Sequence, residues 1–405
     1  MTAQRPGAEF LAGARRPLAS GAHGRSRTHR CSRLAPPACG NGATAQIGAR
    51  PVKRVLFAGG GTAGHVVPVL PLIRTLAQEG VQMNFVGSRS GLEAELLAGQ
   101  PVTYHAITAG KLRRYFSWEN FVDAFRVLGG ICQAYRLVGR LRPDVVFSKG
   151  GFVSFPVAFA AWLRRVPVVA HESDLTPGLA NRLAMPFVRT LCLSFPATPT
   201  GRFKGRVCHT GSPVRAELLQ GDAQRGRTFV GAPRGARVLL VTGGSLGADA
   251  LNAAVRGALD DLTAEYHVVH VCGAGKLSED DHPRYVQYEY LDATWGDVLA
   301  AADLVISRAG ANTLFELLAL RKPNLLVPLS LAASRGDQVE NAAYAASRGY
   351  SHVLEEGALT PAVLVGAVRA LAADLPAVTG HLEGLTTPDA VALICDELRQ
   401  FLATT

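Results

Sequence analysis

RVLLVTGGSLGADALNAAV, Arg237–Val255, is the stretch whose reading decides the fold. It is an apolar strand, a glycine turn and a helix. It repeats the unit that opens at VKRVLFAGGGTAGHVVPVL, Val52–Leu70. Glycine at the end of a strand permits positive φ and lets the backbone approach a ligand. Between the two units, apolar runs alternate with helical stretches: VQMNFVGS, VTYHAI, DVVFSKGGFVSFP, PVVAHESD and LCLSF. After the restart come HVVHVCG, YVQYEYL, DLVISRAG and NLLVPLS. Strands that are apolar on both faces, with helices between them, make a parallel sheet covered on both sides. The restart makes this an α/β chain of two Rossmann-like parallel-sheet domains. The expected division is a basic disordered tail over 1–51, a first domain over 52–213 and a second over 214–386. The linker falls around Thr210–Leu219. The closing amphipathic helix, about 387–403, is expected to cross back onto the first domain.

The charge is unevenly spread. Of the formal +10, residues 1–50 carry +7, from eight Arg, no Lys and the single acid Glu9, which leaves +3 for all the rest. A folded basic face for nucleic acid is therefore not indicated. Residues 1–50 are rich in Arg, Ala and Ser, as in a transit peptide; an upstream-extended start gives the same composition. Seven cysteines, at 31, 39, 132, 192, 208, 272 and 395, form no CxxC pair and no zinc spacing, which suits inert thiols in a reducing compartment. No apolar run reaches the ~18–20 residues of a membrane span.

Three glycine loops, GGGTAGH, SKGGFVS and TGGSLGA, stand where strands end. A following helix points its N–H dipoles at the same place, and parallel sheets bind ligands there. Phosphate is the expected ligand. The first loop is not GxGxxG and the second strand ends FVGS without an acid, so a nicotinamide cofactor is disfavoured. No GxxxxGK[ST] of a P-loop ATPase occurs. SRAGANTLFELLALRKPNLLVPLS, Ser307–Ser330, adds a helix start in which Asn312 or Thr313 caps and Glu316 follows at capping-box spacing. Such a helix suits a nucleotide, with N–H groups for phosphate or base oxygens and Glu316 for a ribose hydroxyl pair. An ordinary capped helix has the same residues.

GGGTAGHVVPVLPL, GKLRRYF, PDVVFSKGGFVSFPV, HESDLTPGLAN, GSPVR, GGSLGADALN, ISRAGANTLFELLAL and SRGDQVENA follow one another in this order. Over about residues 53–403 the chain thereby resembles the MurG family. These are the bacterial enzymes that move N-acetylglucosamine from UDP-GlcNAc to O4 of MurNAc in undecaprenyl-pyrophosphoryl-MurNAc-pentapeptide, converting lipid I to lipid II for peptidoglycan. The resemblance implies a GT-B fold with the donor mainly on the second domain and the acceptor mainly on the first. It implies an inverting UDP-GlcNAc-dependent hexosyltransferase, peripheral on the cytoplasmic leaflet of the cell membrane. Cell-wall synthesis and division proteins are implied as partners, and hence a part in cell shape and the cell cycle. Donor contacts are implied at Thr62, Ala63, Gly64, Arg215, Ser245, Leu291, Ala311, Asn312, Thr313, Leu314, Phe315, Glu316 and Gln338. Gly60, Gly61, Gly150 and Gly151 are implied at the acceptor pyrophosphate. Ser173-Asp174 replaces the common Gln-Asn, Ala63 replaces a glycine, and Gln338 lacks a second glutamine beside it.

Inversion at the anomeric carbon needs a general base within about 3 Å of the attacking hydroxyl and positive potential on the departing diphosphate. His65, which ends a glycine loop and has an ordinary pKa near neutrality, is the first candidate base. A helix-capping or phosphate-donating role for it stays open. Glu172 and Asp174 are the rivals, with loop ordering as their alternative. No DxD motif stands out and no cofactor is required, although a divalent ion on the lipid pyrophosphate is compatible with the sequence. Lys111, Arg113 and Arg114 interleave with Phe116 and Trp118, a mixture suited to an anionic bilayer surface; a buried amphipathic helix is the other reading. A transferase acting on a different lipid-linked acceptor and a non-catalytic nucleotide-sugar-binding protein are the competing functions.

Overall fold

The computed structural model describes residues 52–89, 91–108, 110, 119–244, 247–331 and 334–402, with backbone alone at 119–125. The expected tail 1–51, the segment with Lys111, Arg113, Arg114, Phe116 and Trp118, and Ser245 lie outside the described residues.

Two parallel sheets carry the described chain. The first holds β1 (Arg54–Gly59), β2 (Gln82–Ser88), β3 (Thr103–Ile107), β4 (Val145–Gly150), β5 (Val168–Glu172), β6 (Thr190–Leu193) and β7 (Arg206–His209). Their order is β3-β2-β1-β4-β5-β6-β7. The second holds β8 (Arg237–Thr242), β9 (Tyr266–Val271), β10 (Tyr285–Tyr288), β11 (Leu304–Ser307), β12 (Asn324–Leu326) and β13 (His352–Val353), in the order β10-β9-β8-β11-β12-β13. Both sheets therefore reverse direction between their first and fourth strands, at β1/β4 and β8/β11. Ligands bind at such points, outside the C-terminal ends of the strands.

Side-chain alternation explains the layers. In β1, Val55 and Phe57 face one way, onto Leu72, Ile73 and Leu76. Leu56 and Ala58 face the other, onto Ala134, Val157 and Ala161. The second sheet does the same, with Leu239 and Val241 on one face and Val238 and Leu240 on the other. The strands β7 and β13 escaped the sequence reading because both are short, half-exposed edge strands without an apolar run. The helix Ala390–Leu402 lays Ile394, Cys395, Leu398 and Leu402 against the first sheet, at the i, i+4 spacing of one buried stripe. The link 210–215 has no regular secondary structure. Two residues past β6, Phe195 already enters the second domain's core, its ring centroid 4.9 Å from that of Phe315 and 5.0 Å from that of Tyr344.

Candidate active site

The second domain offers an open helix end. Helix Ala311–Ala319 starts after Gly310, and no side chain caps it. The expected capping box of Asn312 or Thr313 with Glu316 does not form. Asn312 reaches across the cleft instead, donating from Nδ2 to the Gly64 carbonyl at 2.9 Å. The first backbone N–H groups of the helix thus keep their donors for a ligand. Ala311, Asn312, Thr313 and Glu316 line the cleft. Leu314 and Phe315, expected there as part of the same motif, do not: Leu314 is fully buried in the core and Phe315 packs on Phe195. A helix turns about 100° per residue, so a contiguous motif cannot present one face.

Glu316 faces the cleft with Arg215 Nη2 3.6 Å from its carboxylate. Burial pushes its pKa up, while Arg215 and a hydrogen bond from Trp295 oppose that shift. Arg215 Nε is buried without a partner, and so is Asn312 Oδ1. Leu291 lines the cleft at 7% exposure. Gln338 accepts the Leu329 N–H at 2.9 Å through Oε1, which turns its amide nitrogen into the role of free donor. Around the third glycine loop, Gly244 and Gly247 take φ of 81° and 67°. A Cβ on Gly247 would meet the Cys272 carbonyl at 2.0 Å, so only glycine fits. Asn252 holds that carbonyl in place at 2.9 Å.

On the first domain the glycine loops are less open than the sequence suggests. Gly60, Gly61, Gly150 and Gly151 all line the cleft. Yet the Gly61 N–H donates to Glu93 Oε1 at 2.8 Å, and the Gly150 N–H donates to Ser154 Oγ at 3.1 Å. These two donors face inward and cannot also meet a pyrophosphate. Glu93, 1% exposed and 3.1 Å from Ser88 Oγ, is a loop-setting residue that sequence reasoning missed. Gly151 comes so close to the first loop that a Cβ there would sit 2.0 Å from the Gly60 carbonyl. Thr62, Ala63 and Gly64 lie in a 3-10 turn ending at His65, and Thr62 Oγ1 is 3.0 Å from His65 Nδ1. Burial, reinforced by Lys149 and Arg335, lowers the His65 pKa to about 4 against a hydrogen bond to the Gly60 backbone. The ring is neutral at pH 7 and holds a lone pair.

The rival bases are occupied. Glu172 accepts the N–H groups of Ser173, Asp174 and Gly178 at 2.8, 3.1 and 3.0 Å, and Asn181 Nδ2 at 2.8 Å. With four donors on its two oxygens it orders the loop. Asp174 pairs across the cleft with Arg335 and, at 3.1 Å, with Asn341 Nδ2. Burial raises its pKa to about 6, partly offset by Arg335. His65, held by Thr62 and by the Gly60 backbone, also lines the cleft and has its pKa lowered. Glycine loops, helix Ala311–Ala319, Glu316, Gln338 and His65 surround one cleft of about 840 Å³.

Paired Rossmann-like sheets around such a cleft constitute a GT-B glycosyltransferase fold. The glycosyltransferase family 28 N-terminal domain matches residues 55–192, and the family's C-terminal domain matches residues 238–378. A UDP-N-acetylglucosamine–N-acetylmuramyl-(pentapeptide) pyrophosphoryl-undecaprenol N-acetylglucosamine transferase of Clostridium perfringens is 48% identical over 320 residues, 78% of this chain and 90% of that one. The protein of the same name from Legionella pneumophila is 47% identical over 318 residues, 78% of this chain and 88% of its own. The crystal structure of Acinetobacter baumannii MurG matches at a TM-score of 0.69 and 26% identity, over 86% of this chain and 100% of that one. The chain belongs to glycosyltransferase family 28 and, within it, to the MurG family.

Proposed function

We propose that this chain transfers N-acetylglucosamine from UDP-GlcNAc to O4 of the N-acetylmuramyl unit of a pentapeptide-bearing pyrophosphoryl-undecaprenol, giving lipid II. The uncapped helix end above Glu316 carries the reading, because it brings unspent backbone donors to one point of the cleft beside a carboxylate only loosely paired with Arg215. Glu316 takes the ribose hydroxyls, helix N–H groups and Arg215 take uridine and diphosphate oxygens, and the Gln338 amide meets the sugar. The O4–H proton passes to His65 as the O4–C1 bond forms and the C1–O bond to UDP breaks, with inversion. Thr62 Oγ1 lies on Nδ1, so this hydroxyl either turns aside or carries the proton inward. A bound diphosphate adds negative charge near the ring and raises its basicity from the low value of the empty cleft.

Docking on a lipid surface belongs to the same proposal. Among the described residues no single helix is long and apolar enough to cross a membrane. Trp162 and Leu163 are 50% and 47% exposed at the end of helix Ser154–Leu163. Phe159 and Phe187 pack within 5.2–5.8 Å of the Trp162 ring; Arg165, three residues after Trp162, and Arg182, five before Phe187, are exposed. Exposed aromatics on a surface that also carries arginines suit an interfacial contact. Turnover of UDP-GlcNAc with a lipid I analogue tests the main reading; wild-type protein that transfers no sugar to it overturns the proposal.

A further inference from the structure

Lys149 ends β4 inside SKGGFVS, a motif so far valued for its glycines. Its side chain is 2% exposed, yet it lines the cleft. Nζ lies 2.7 Å from His171 Nδ1 and donates to Ser173 Oγ. Among the described residues no carboxylate forms an ion pair with it. The neighbouring acids are committed elsewhere, Glu172 to its loop and Asp174 to Arg335 and Asn341. An ammonium buried without a counter-ion is costly. Nothing in the fold of β4 calls for one, since Val145, Val146 and Phe147 pack there as ordinary core.

The geometry gives that charge a direction. His171 Nε2 lies 2.9 Å from the Gly211 carbonyl, so it carries the ring proton and donates it there. Nδ1 is then the acceptor, and Lys149 must be the donor. An ammonium has three N–H bonds; His171 and Ser173 take two, and the third is left for the cleft. The stem rises beside Gly59, whose Cβ position is 3.6 Å from Lys149 Cβ, while the His65 ring is 3.4 Å from the Cβ position of Gly150. Lysine and histidine thus flank the point where β1 and β4 part.

We propose that Lys149 is a substrate-contacting residue of the acceptor half, its third N–H meeting the pyrophosphate of the lipid acceptor beside His65. This rests on the transferase reading above. It supplies the positive charge that the inward-turned Gly61 and Gly150 amides cannot. The groups around it are His171 and Glu172 on β5, Ser173 and Asp174 in the following loop, Cys192 on β6 and His65 on the first glycine loop. Burial lowers the Lys149 pKa to about 8 against the pull of Glu172, Asp174 and Cys192. The ammonium is present at pH 7 and is lost as pH rises through about 8.

The test compares wild type with Lys149→Met and Lys149→Arg, using UDP-GlcNAc and a lipid I analogue across pH 6.5–9.5 (about one and a half units to either side of the lysine). Transfer by wild type keeps the function itself out of question. Calorimetric UDP binding reports the integrity of the fold. Expected for Lys149→Met is an acceptor KM raised by about ten- to hundredfold, the range of a lost charge-assisted hydrogen bond. The donor KM and UDP affinity stay within about twofold. The fall in wild-type kcat/KM above about pH 8 disappears in Lys149→Met and moves to higher pH in Lys149→Arg. An unchanged acceptor KM overturns the proposal. So does a joint rise of both KM values or a loss of UDP binding, which assigns Lys149 a packing role.

Discussion

The two halves of the cleft are built from the same strand–loop–helix unit and use it in opposite ways. In the second domain the backbone is left unspent: helix Ala311–Ala319 has no cap, and Glu316 and Arg215 stand loosely paired at 3.6 Å. In the first domain the backbone is spent internally, with Gly61 bonded to Glu93 and Gly150 to Ser154. Buried titratable side chains take over the cleft there: His65, Lys149, His171, Glu172 and Asp174. A nucleotide diphosphate is always charged, so fixed dipoles suffice for it. A hydroxyl that must lose a proton needs groups that titrate, and burial is what tunes them. On the proposed function, one supersecondary unit thus yields a binding half and a reacting half.

Four substitutions break or sharpen this contrast. His65→Ala has the largest expected effect, a fall of about 10²–10⁴-fold in kcat with UDP affinity within about twofold; steady-state kinetics beside calorimetry check it, and an unimpaired kcat removes the base assignment. Glu316→Ala acts on the other half. UDP affinity drops by about ten- to hundredfold, while the pH profile of kcat keeps its shape. Trp162→Ala, far from either set of donors, lowers co-sedimentation with anionic liposomes by about fivefold to tenfold. If it lowers UDP binding as well, the surface is not a separate lipid contact.

Asp174→Asn is the subtlest. The folded pKa of Asp174, about 6, lies above its ordinary 3.8. Its contribution to stability is therefore present at acid pH and lost as pH rises through about 6. Asparagine is neutral throughout, so its unfolding midpoint should exceed that of wild type by about 2–4 °C at pH 7.5 and by little at pH 4.5. A midpoint difference that grows toward acid pH means that the ion pair with Arg335 outweighs the burial of the charge.

The doubly wound fold was readable because its cues are local. Strand ends carry glycine for positive φ, and apolar runs recur between helical stretches. Glu316 was readable for the same reason, one turn into a helix that starts at a glycine. Failures came where three-dimensional placement decides. Leu314 and Phe315 share a motif with Glu316 yet face the core. The predicted cap of helix Ala311–Ala319 is missing; on the proposed reading a local rule gives way there to ligand binding, as functional sites tend to require. Glu93 left no signal, since one of two acids on a four-residue helix says nothing about a loop 32 residues earlier. Lys149 was hidden by its glycine neighbours; only the packing shows that a charge has been buried beside them.

The helix Ala390–Leu402 has a consequence in time rather than space. Its Ile394, Cys395, Leu398 and Leu402 complete a core otherwise made by residues 55–192. A ribosome emits that early core almost two hundred residues before its final layer, while the whole second domain is made in between. Domains tend to fold as they emerge. Here the second domain, with Phe195 already made, can close first, while the core of Val55, Phe57 and Phe147 must wait for its last helix. Order of synthesis and order of completion run in opposite directions, and a nascent chain stopped at residue 386 holds a finished binding half beside an unfinished reacting one.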